Sequence, residues 1–181
     1  TEGLSTLAKK RNVTIFSGTG AFRSDHEIAV TNDTQELVLQ FEKAIISTGS
    51  EPIRLPGIPR DPRILDSTAA LSLQSIPERL LVIGGGIIGL EMATVYRALG
   101  SAVSIVEMAP QLMPGTDPDL VRPLAKRLKS QCNDIFLNTR VSQVDPGPAE
   151  LVAHFEGDRV PASAAFDAIL IAVGRTPNGN N

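Results

Sequence analysis

The chain has 181 residues, of which 42% are hydrophobic and 20% are charged, a composition typical of a globular protein with one sizeable core or two small ones. Its net charge of −3 argues against a nucleic-acid partner, and no apolar run reaches the roughly 18 to 20 residues of a membrane helix. Cys132 is the only cysteine, which excludes an internal disulfide and a cysteine-based metal site. We therefore expect a cytoplasmic protein without a metal ion.

The first fifty residues predict a helix followed by short strands. Residues 2–11 have apolar side chains on one side and cations near the end, as in the last turns of a helix. Turn residues then separate apolar segments that predict an antiparallel meander. The predicted strands are Val13–Phe16, Glu27–Val30, Glu36–Leu39 and Lys43–Ile46.

A proline-rich connector follows. Residues 51–62 contain four prolines, which favour an extended and poorly helical chain, so we place a domain boundary near residues 52–64. Ser67 is then expected to cap a short helix over Thr68–Leu73.

The most informative motif is a glycine-rich turn between a strand and a helix. Leu80–Ile83 predicts a buried strand, and the pattern Gly84-x-Gly86-x-x-Gly89 leads directly into a helix that ends near Leu99. In a dinucleotide fingerprint the first glycine permits a tight turn, the second admits a pyrophosphate, and the third keeps the helix close to the sheet. The free amides of the helix would bind the phosphates.

The next strand strengthens this interpretation. Ala102–Val106 predicts a parallel strand, and Glu107 stands at its carboxyl end, about 20 residues after the first glycine. A carboxylate there accepts hydrogen bonds from ribose hydroxyls and repels a 2′-phosphate. Because the segment from Met108 to Gly115 contains no Lys or Arg, we expect NAD rather than NADP.

The remaining elements complete an α/β unit. A helix is expected from Asp117 and Pro118 to about Gln131, with a kink or a late start at Pro123. The last strand should end in the crevice beside the glycine-rich turn. The predicted strands are Asp134–Leu137, Val141–Val144, a hairpin of Glu150–Phe155 with a segment near Val160, and Ala168–Val173.

Four motifs in this order and spacing resemble the flavin-dependent pyridine nucleotide-disulfide oxidoreductases. They are ISTGS at residues 46–50, GGGIIGLEMA from Gly84, the strand end at Glu107 and AVGRTPN at residues 172–178. The resemblance covers essentially the whole chain and is strongest to the branch that oxidises dihydrolipoamide. It implies an α/β fold: a partial FAD-binding segment rich in antiparallel strands at 1–64, a Rossmann-like NAD-binding domain with a parallel sheet and a β-meander at 65–178, and the start of a further FAD-domain segment at 179–181.

The resemblance also implies which residues contact the cofactors. The implied NAD contacts are Gly84, Gly85, Gly86, Ile87, Ile88, Gly89, Leu90, Glu91, Glu107, Val141 and Gly174. The implied FAD contacts are Thr48, Gly49, Ser50 and Gly20. Glu91 would lie near the nicotinamide, although a glutamate in the first turn of a helix is also favoured by the helix dipole alone.

The activity implied by the resemblance is the oxidation of dihydrolipoamide, with electrons passing through a redox disulfide and FAD to NAD. A pyridine-nucleotide transhydrogenase or a mercuric-type reductase is the alternative within the family, and a nucleotide-binding module without catalysis is the alternative outside it. The implied partners are a lipoyl-bearing acyltransferase of a 2-oxoacid dehydrogenase complex and a second copy of the chain. The family's paired cysteines and catalytic His have no match here, so we name no catalytic residue and expect an excised or proteolysed, inactive piece.

Overall fold

The computed structural model describes residues 2–179, and the chain divides into two compact units, Thr1–Ser47 and Thr48–Asn181. Residues 180 and 181, which belong to the predicted start of a further FAD-domain segment, lie outside the described residues.

The first unit contains the predicted helix and a three-stranded meander. Helix α1 spans Glu2–Lys10 and ends in two lysines, which favour the negative end of its dipole. Strands β1, β2 and β3 pair antiparallel in chain order. Their bounds are Thr19–Ser24, Glu27–Thr31 and Glu36–Gln40.

Two of the four strands predicted for this unit are wrong. Val13–Phe16 and Lys43–Ile46 have strand-like sequences, but within residues 2–179 neither is part of a strand. Strand β1 instead begins at Thr19, which pairs with Thr31 of β2. Propensity alone cannot assign a strand, because a strand exists only where a second strand satisfies its amide and carbonyl groups.

The second unit begins with short strands and contains the glycine-rich turn. Its elements in chain order are β4 (Ser50–Pro52), β5 (Ile64–Asp66), α2 (Ser67–Ala70), β6 (Arg79–Ile83), α3 (Ile87–Ala98), β7 (Ala102–Val106), α4 (Pro118–Lys129), β8 (Asp134–Phe136), β9 (Thr139–Pro146), β10 (Leu151–Gly157), β11 (Ser163–Phe166), β12 (Ala168–Ile171) and β13 (Arg175–Pro177).

A five-stranded parallel sheet with the order β5-β12-β6-β7-β8 forms the centre of this unit. Alternate residues of β6 face opposite sides, so Leu80 and Val82 enter one core while Leu81 and Ile83 enter another. Helices α3 and α4 cover the first face, and the antiparallel β9, β10 and β11 cover the second. Burial on both faces explains why the sequence of β6 is continuously apolar. The α/β fold with a parallel sheet and a meander is thus confirmed.

Several local boundaries differ from the prediction. Asp66, and not Ser67, caps α2: its Oδ1 accepts hydrogen bonds from the amides of Thr68 at 2.9 Å and Ala69 at 2.8 Å. Helix α4 begins at Pro118 as predicted, and Pro123 does not delay its start. The amide that proline lacks would have bonded to the carbonyl of the exposed Asp119, where water can replace it.

The strand that closes the meander also lies later than predicted. The register places Leu151 opposite Phe166 and His154 opposite Ser163, so the second strand of the hairpin is β11. Val160 lies outside any strand and packs against the core between the sheet and the meander. The apolar character of Val160 therefore correctly indicated a core residue but not a strand.

The proline-rich connector packs with the second unit, whereas the sequence placed a boundary near residues 52–64. Leu55 and Ile58 contact the core between the sheet and the meander. The guanidinium of Arg63 pairs with Asp61 and also donates to the carbonyl of Gly147 at 2.9 Å. These contacts hold an extended segment against the sheet without a helix or a long strand.

Candidate nucleotide-binding site

The turn between β6 and α3 requires glycine at its first position. Gly84 has φ +113°, and a Cβ there would lie 2.4 Å from the carbonyl oxygen of Ala172. Its amide donates to the carbonyl of Val106 at 2.8 Å. The turn therefore passes tightly between the carboxyl ends of β7 and β12.

The second and third glycines shape the start of α3. A Cβ on Gly86 would meet no heavy atom within 4 Å, so this position faces open space. A Cβ on Gly89 would lie 2.0 Å from the carbonyl oxygen of Gly84, so only glycine lets the helix pack against the turn. The amide of Leu90 donates to the carbonyl of Gly86 at 3.0 Å, which leaves the first-turn amides before it without acceptors inside the helix. Such amides form an anion-binding site.

Glu107 lies beside this turn and stabilises it. Its Oε2 accepts a hydrogen bond from the amide of Gly85 at 2.7 Å, and its Oε1 accepts one from the amide of Ala109 at 2.7 Å. Its own amide donates to the carbonyl of Phe136 at 2.9 Å, and its carbonyl accepts from the amide of Thr139 at 3.0 Å. A carboxylate has about four lone-pair positions, so Glu107 retains acceptor capacity for a ligand hydroxyl.

A cavity of about 630 Å³ opens at the carboxyl ends of the strands, a volume typical of a small-ligand site. Its lining extends from the end of β12 across the ends of β6 and β7 to the start of β9, which follows β8 in the chain. The distance from β12 to β8 across the sheet is about three strand spacings, or roughly 14 Å. Most of the predicted NAD contacts line it: Gly84, Gly86, Ile87, Ile88, Glu107, Val141 and Gly174. The position agrees with the rule that open α/β sheets bind ligands where the strand order reverses.

The other four predicted NAD contacts do not line the cavity in the described part of the chain. Gly85 is buried and its amide is bonded to Glu107. Gly89 is buried beneath the turn, and Leu90 belongs to the core on the helical face of the sheet. Glu91 is exposed on α3.

Nine further residues line the cavity without having been predicted as contacts from the sequence: Leu55, Ile83, Val106, Met108, Pro114, Thr139, Arg140, Ala172 and Val173. Two of them follow a left-handed turn at Asn138, which has φ +50° and connects β8 to β9. No spacing in the sequence indicates that this turn reaches Glu107. The one indication in the sequence was that Arg140 directly precedes Val141, which was predicted to contact NAD.

The segments predicted to contact FAD behave differently. Ser50 in β4 stands opposite Pro177 of the AVGRTPN motif in β13, and the carbonyls of Thr48 and Gly49 accept hydrogen bonds from Asn178 of the same motif. Arg175 Nε donates to Ser50 Oγ at 2.7 Å, and the Thr48 hydroxyl donates to the carbonyl of Asn178. Gly20, the remaining predicted contact, lies in β1 of the first unit opposite Val30. Two of the four sequence motifs thus meet, although more than a hundred residues separate them.

Other titratable groups have structural partners. His154 Nε2 lies 2.7 Å from Asp145 Oδ2, an acidic neighbour that the sequence spacing had not revealed. Hydrogen bonds from Gln143 and then from His154 lower the pKa of Asp145, and burial raises the pKa of the Cys132 thiol. Within residues 2–179 no three His, Cys, Asp or Glu side chains form a metal-binding group, and no helix has the length and apolarity to span a bilayer.

The parallel sheet with antiparallel sheets around it matches the fold of the flavoprotein disulfide reductases. The LpdA protein of Mycobacterium tuberculosis has this fold with a TM-score of 0.84 at 23% identity over 99% of this chain and 40% of its own. The HOCl-induced flavoprotein disulfide reductase of Escherichia coli gives a TM-score of 0.78 at 32% identity over 97% of this chain and 39% of its own.

A sequence model described as pyridine nucleotide-disulphide oxidoreductase matches residues 1–181, and the chain belongs to this family. The dihydrolipoyl dehydrogenase of Vibrio parahaemolyticus is 48% identical over 99% of this chain, and that of Vibrio cholerae is 46% identical over the same share. In both comparisons the chain spans 38% of the relative's length.

Proposed function

We propose that the full-length protein oxidises dihydrolipoamide to lipoamide, with electron transfer through a redox disulfide and FAD to NAD, and that this chain supplies the NAD site. One observation carries the proposal: the glycine-rich turn and Glu107 meet in a single cavity, linked by the 2.7 Å hydrogen bond from the Gly85 amide. The name dihydrolipoyl dehydrogenase, carried by the relatives at 43–48% identity, supports the choice of substrate.

The residues of the cavity fit an extended dinucleotide. The open backbone at Gly86 and the amides at the start of α3 would bind the pyrophosphate, and Glu107 would accept hydrogen bonds from the adenosine ribose. Since Gly174 follows β12 on the other side of β6, the nicotinamide would lie on that side. NAD, when bound, accepts a hydride, so oxidation of one dithiol to a disulfide yields NADH and one proton.

For FAD, this chain offers fewer free groups. The hydroxyls of Thr48 and Ser50 already make hydrogen bonds to Asn178 and Arg175. We propose that Thr48, Gly49, Ser50 and Gly20 contribute to the flavin site. The division of the chain into an FAD-binding segment at 1–64 and an NAD-binding domain at 65–178 belongs to the same proposal.

Catalysis would depend on groups for which this chain has no counterpart, so we assign no catalytic residue to it. The partner we propose is a lipoyl-bearing acyltransferase of a 2-oxoacid dehydrogenase complex, because the name of the relatives denotes a dihydrolipoyl substrate. A homodimer and a cytoplasmic location complete the proposal.

The activity is tested by mixing the full-length protein with dihydrolipoamide and NAD and following NADH by its absorbance. We expect NADH formation that depends on both substrates. Failure to form NADH, together with transhydrogenation between nicotinamide nucleotides or NADPH-dependent reduction of mercuric ion, would replace this function with one of the family alternatives.

A second function applies to the 181-residue chain by itself, namely NAD binding without catalysis. The observation that favours it is that every residue lining the cavity belongs to the second unit. Calorimetry should detect weak NAD binding and no retention of FAD. Tight FAD binding or lipoamide-linked turnover by this chain would contradict this second function, and absence of NAD binding would contradict the NAD site itself.

A further inference from the structure

The lining of the cavity includes a cationic residue as well as Glu107. Arg140 lies near the start of β9 and, within residues 2–179, is the one Lys or Arg in the cavity lining. It directly follows Thr139, whose amide donates to the carbonyl of Glu107 at 3.0 Å. The β8–β9 turn therefore places Arg140 at the end of the cavity where Glu107 would bind the adenosine ribose.

A guanidinium at that end would normally favour the wrong nucleotide. Arg binds phosphate through paired hydrogen bonds that Lys cannot match, and a free Arg beside the ribose would attract the 2′-phosphate of NADP. The segment after β7 contains no cation with this effect. Arg140 reaches the cavity from a later part of the chain, so its charge has to be controlled if the site is to select NAD.

Glu156 provides this control. It stands opposite Arg140 in the β9–β10 register, and its Oε2 accepts a hydrogen bond from Arg140 Nε at 2.9 Å. The two side chains are 62% and 54% exposed, and ion pairs of this kind add little to stability. The pair therefore matters less for stability than for where it holds the guanidinium and how far it offsets its charge.

We infer that Glu156 is a specificity-determining residue, which acts through Arg140. By pairing with the guanidinium, it weakens the attraction of Arg140 for a 2′-phosphate, while Glu107 repels that phosphate directly. The inference rests on the proposed NAD site and extends it, because the preference for NAD then depends on two carboxylates from distant parts of the sequence.

The test compares NAD⁺ and NADP⁺ binding to the oxidised full-length protein by calorimetry, since no electron transfer accompanies binding of the oxidised nucleotides. Glu156→Gln should strengthen NADP⁺ binding relative to NAD⁺ by about fivefold, and this gain should decrease as ionic strength rises. The double variant Arg140→Gln/Glu156→Gln should lose the gain.

Glu150→Gln is the matched control. Glu150 pairs with Arg79 and is also half-exposed, and the same substitution changes the net charge equally. Arg79 begins β6, so this pair lies at the amino edge of the sheet, opposite to the cavity. The control should leave the ratio of the two affinities unchanged.

The outcomes separate the inference from the proposed function. If the unsubstituted protein binds NAD⁺ but Glu156→Gln does not change the ratio, or Glu150→Gln changes it equally, the inference is wrong. A gain that persists in the double variant would also overturn it, because Arg140 would then have no part in the effect. Absence of NAD⁺ binding by the unsubstituted protein would contradict the proposed NAD site and therefore also the inference.

Discussion

The two units bury their apolar residues to very different extents. Among residues 2–47, Ala29 is the one buried hydrophobic residue, and Ile45 is 94% exposed. The second unit has one core on each face of its parallel sheet, in which Leu80, Leu81 and Leu170 are fully buried. Strand pairing defines the first unit, whereas apolar burial holds the second together, so the second unit should dominate the stability of the chain.

The largest effect should come from the centre of the sheet. Leu170→Ala removes a fully buried side chain from β12 and should lower the free energy of unfolding by about 3 kcal/mol. Ile45→Ala in the first unit should change it by less than about 0.5 kcal/mol. Chemical denaturation of both variants measures the contrast, and equal losses would show that the two units do not differ in this way.

The glycines of the turn should separate folding from binding. Gly89→Ala places a Cβ 2.0 Å from the carbonyl oxygen of Gly84 and should cost about 2 kcal/mol of stability. Gly86→Ala meets no neighbour within 4 Å, so it should preserve stability while filling the space expected for the pyrophosphate.

Thermal unfolding and NAD titration of the two variants provide the measurement. Gly3→Ala, in α1 of the first unit, is the control, because a Cβ there also meets nothing within 4 Å. If Gly86→Ala bound NAD as tightly as the unsubstituted protein, the pyrophosphate would lie elsewhere.

A smaller effect should appear as a pH dependence of the second unit. Hydrogen bonds from Arg63 lower the pKa of Asp61 from 3.8 to about 2, so the stabilisation is complete above about pH 4 and is lost as the pH falls toward 2. Since solvent still reaches this ion pair, in which Arg63 is 28% and Asp61 13% exposed, the loss should be about 1 kcal/mol. Asp61→Asn should remove this part of the acid sensitivity.

Unfolding measured between pH 5 and pH 2 tests the effect. Asp145 is the comparison, because hydrogen bonds from Gln143 and His154 also lower its pKa but its side chain is 53% exposed. Asp145→Asn should therefore change the acid sensitivity less than Asp61→Asn. A larger change at Asp145 would mean that solvent screening does not decide the difference.

The last prediction concerns binding at the carboxyl ends of the strands. Glu107→Gln keeps an oxygen acceptor for one of the two loop amides, leaves the other amide without one and removes the charge. It should weaken NAD binding about tenfold and lower the free energy of unfolding by about 1 kcal/mol. Asp119→Asn on the exposed surface of α4 is the control for the change in charge. Unchanged NAD affinity in Glu107→Gln would favour a purely structural function for this carboxylate.

Much of the fold could be predicted because the strongest patterns are local. The continuous apolar run of β6, the three glycines and the helix after them follow from one stretch of sequence. Gly84 and Gly89 have a steric reason in the structure, whereas Gly86 faces open space. The errors occurred where a partner decides the outcome. Lys43–Ile46 has a strand-like sequence without a paired strand in the described chain, and Asp66 caps a helix that Ser67 was expected to cap.

The sequence by itself determined the glycine-rich turn, the carboxylate at the end of the next strand and the family. Backbone sterics and hydrophobic periodicity depend on neighbouring residues and can be recognised without coordinates. The tertiary structure alone decided that Arg140 and Glu107 share a cavity, that Glu156 holds Arg140, and that Ser50 meets Arg175. These contacts arise from sheet order and strand register, which depend on how distant segments pair and not on the residues of any one segment.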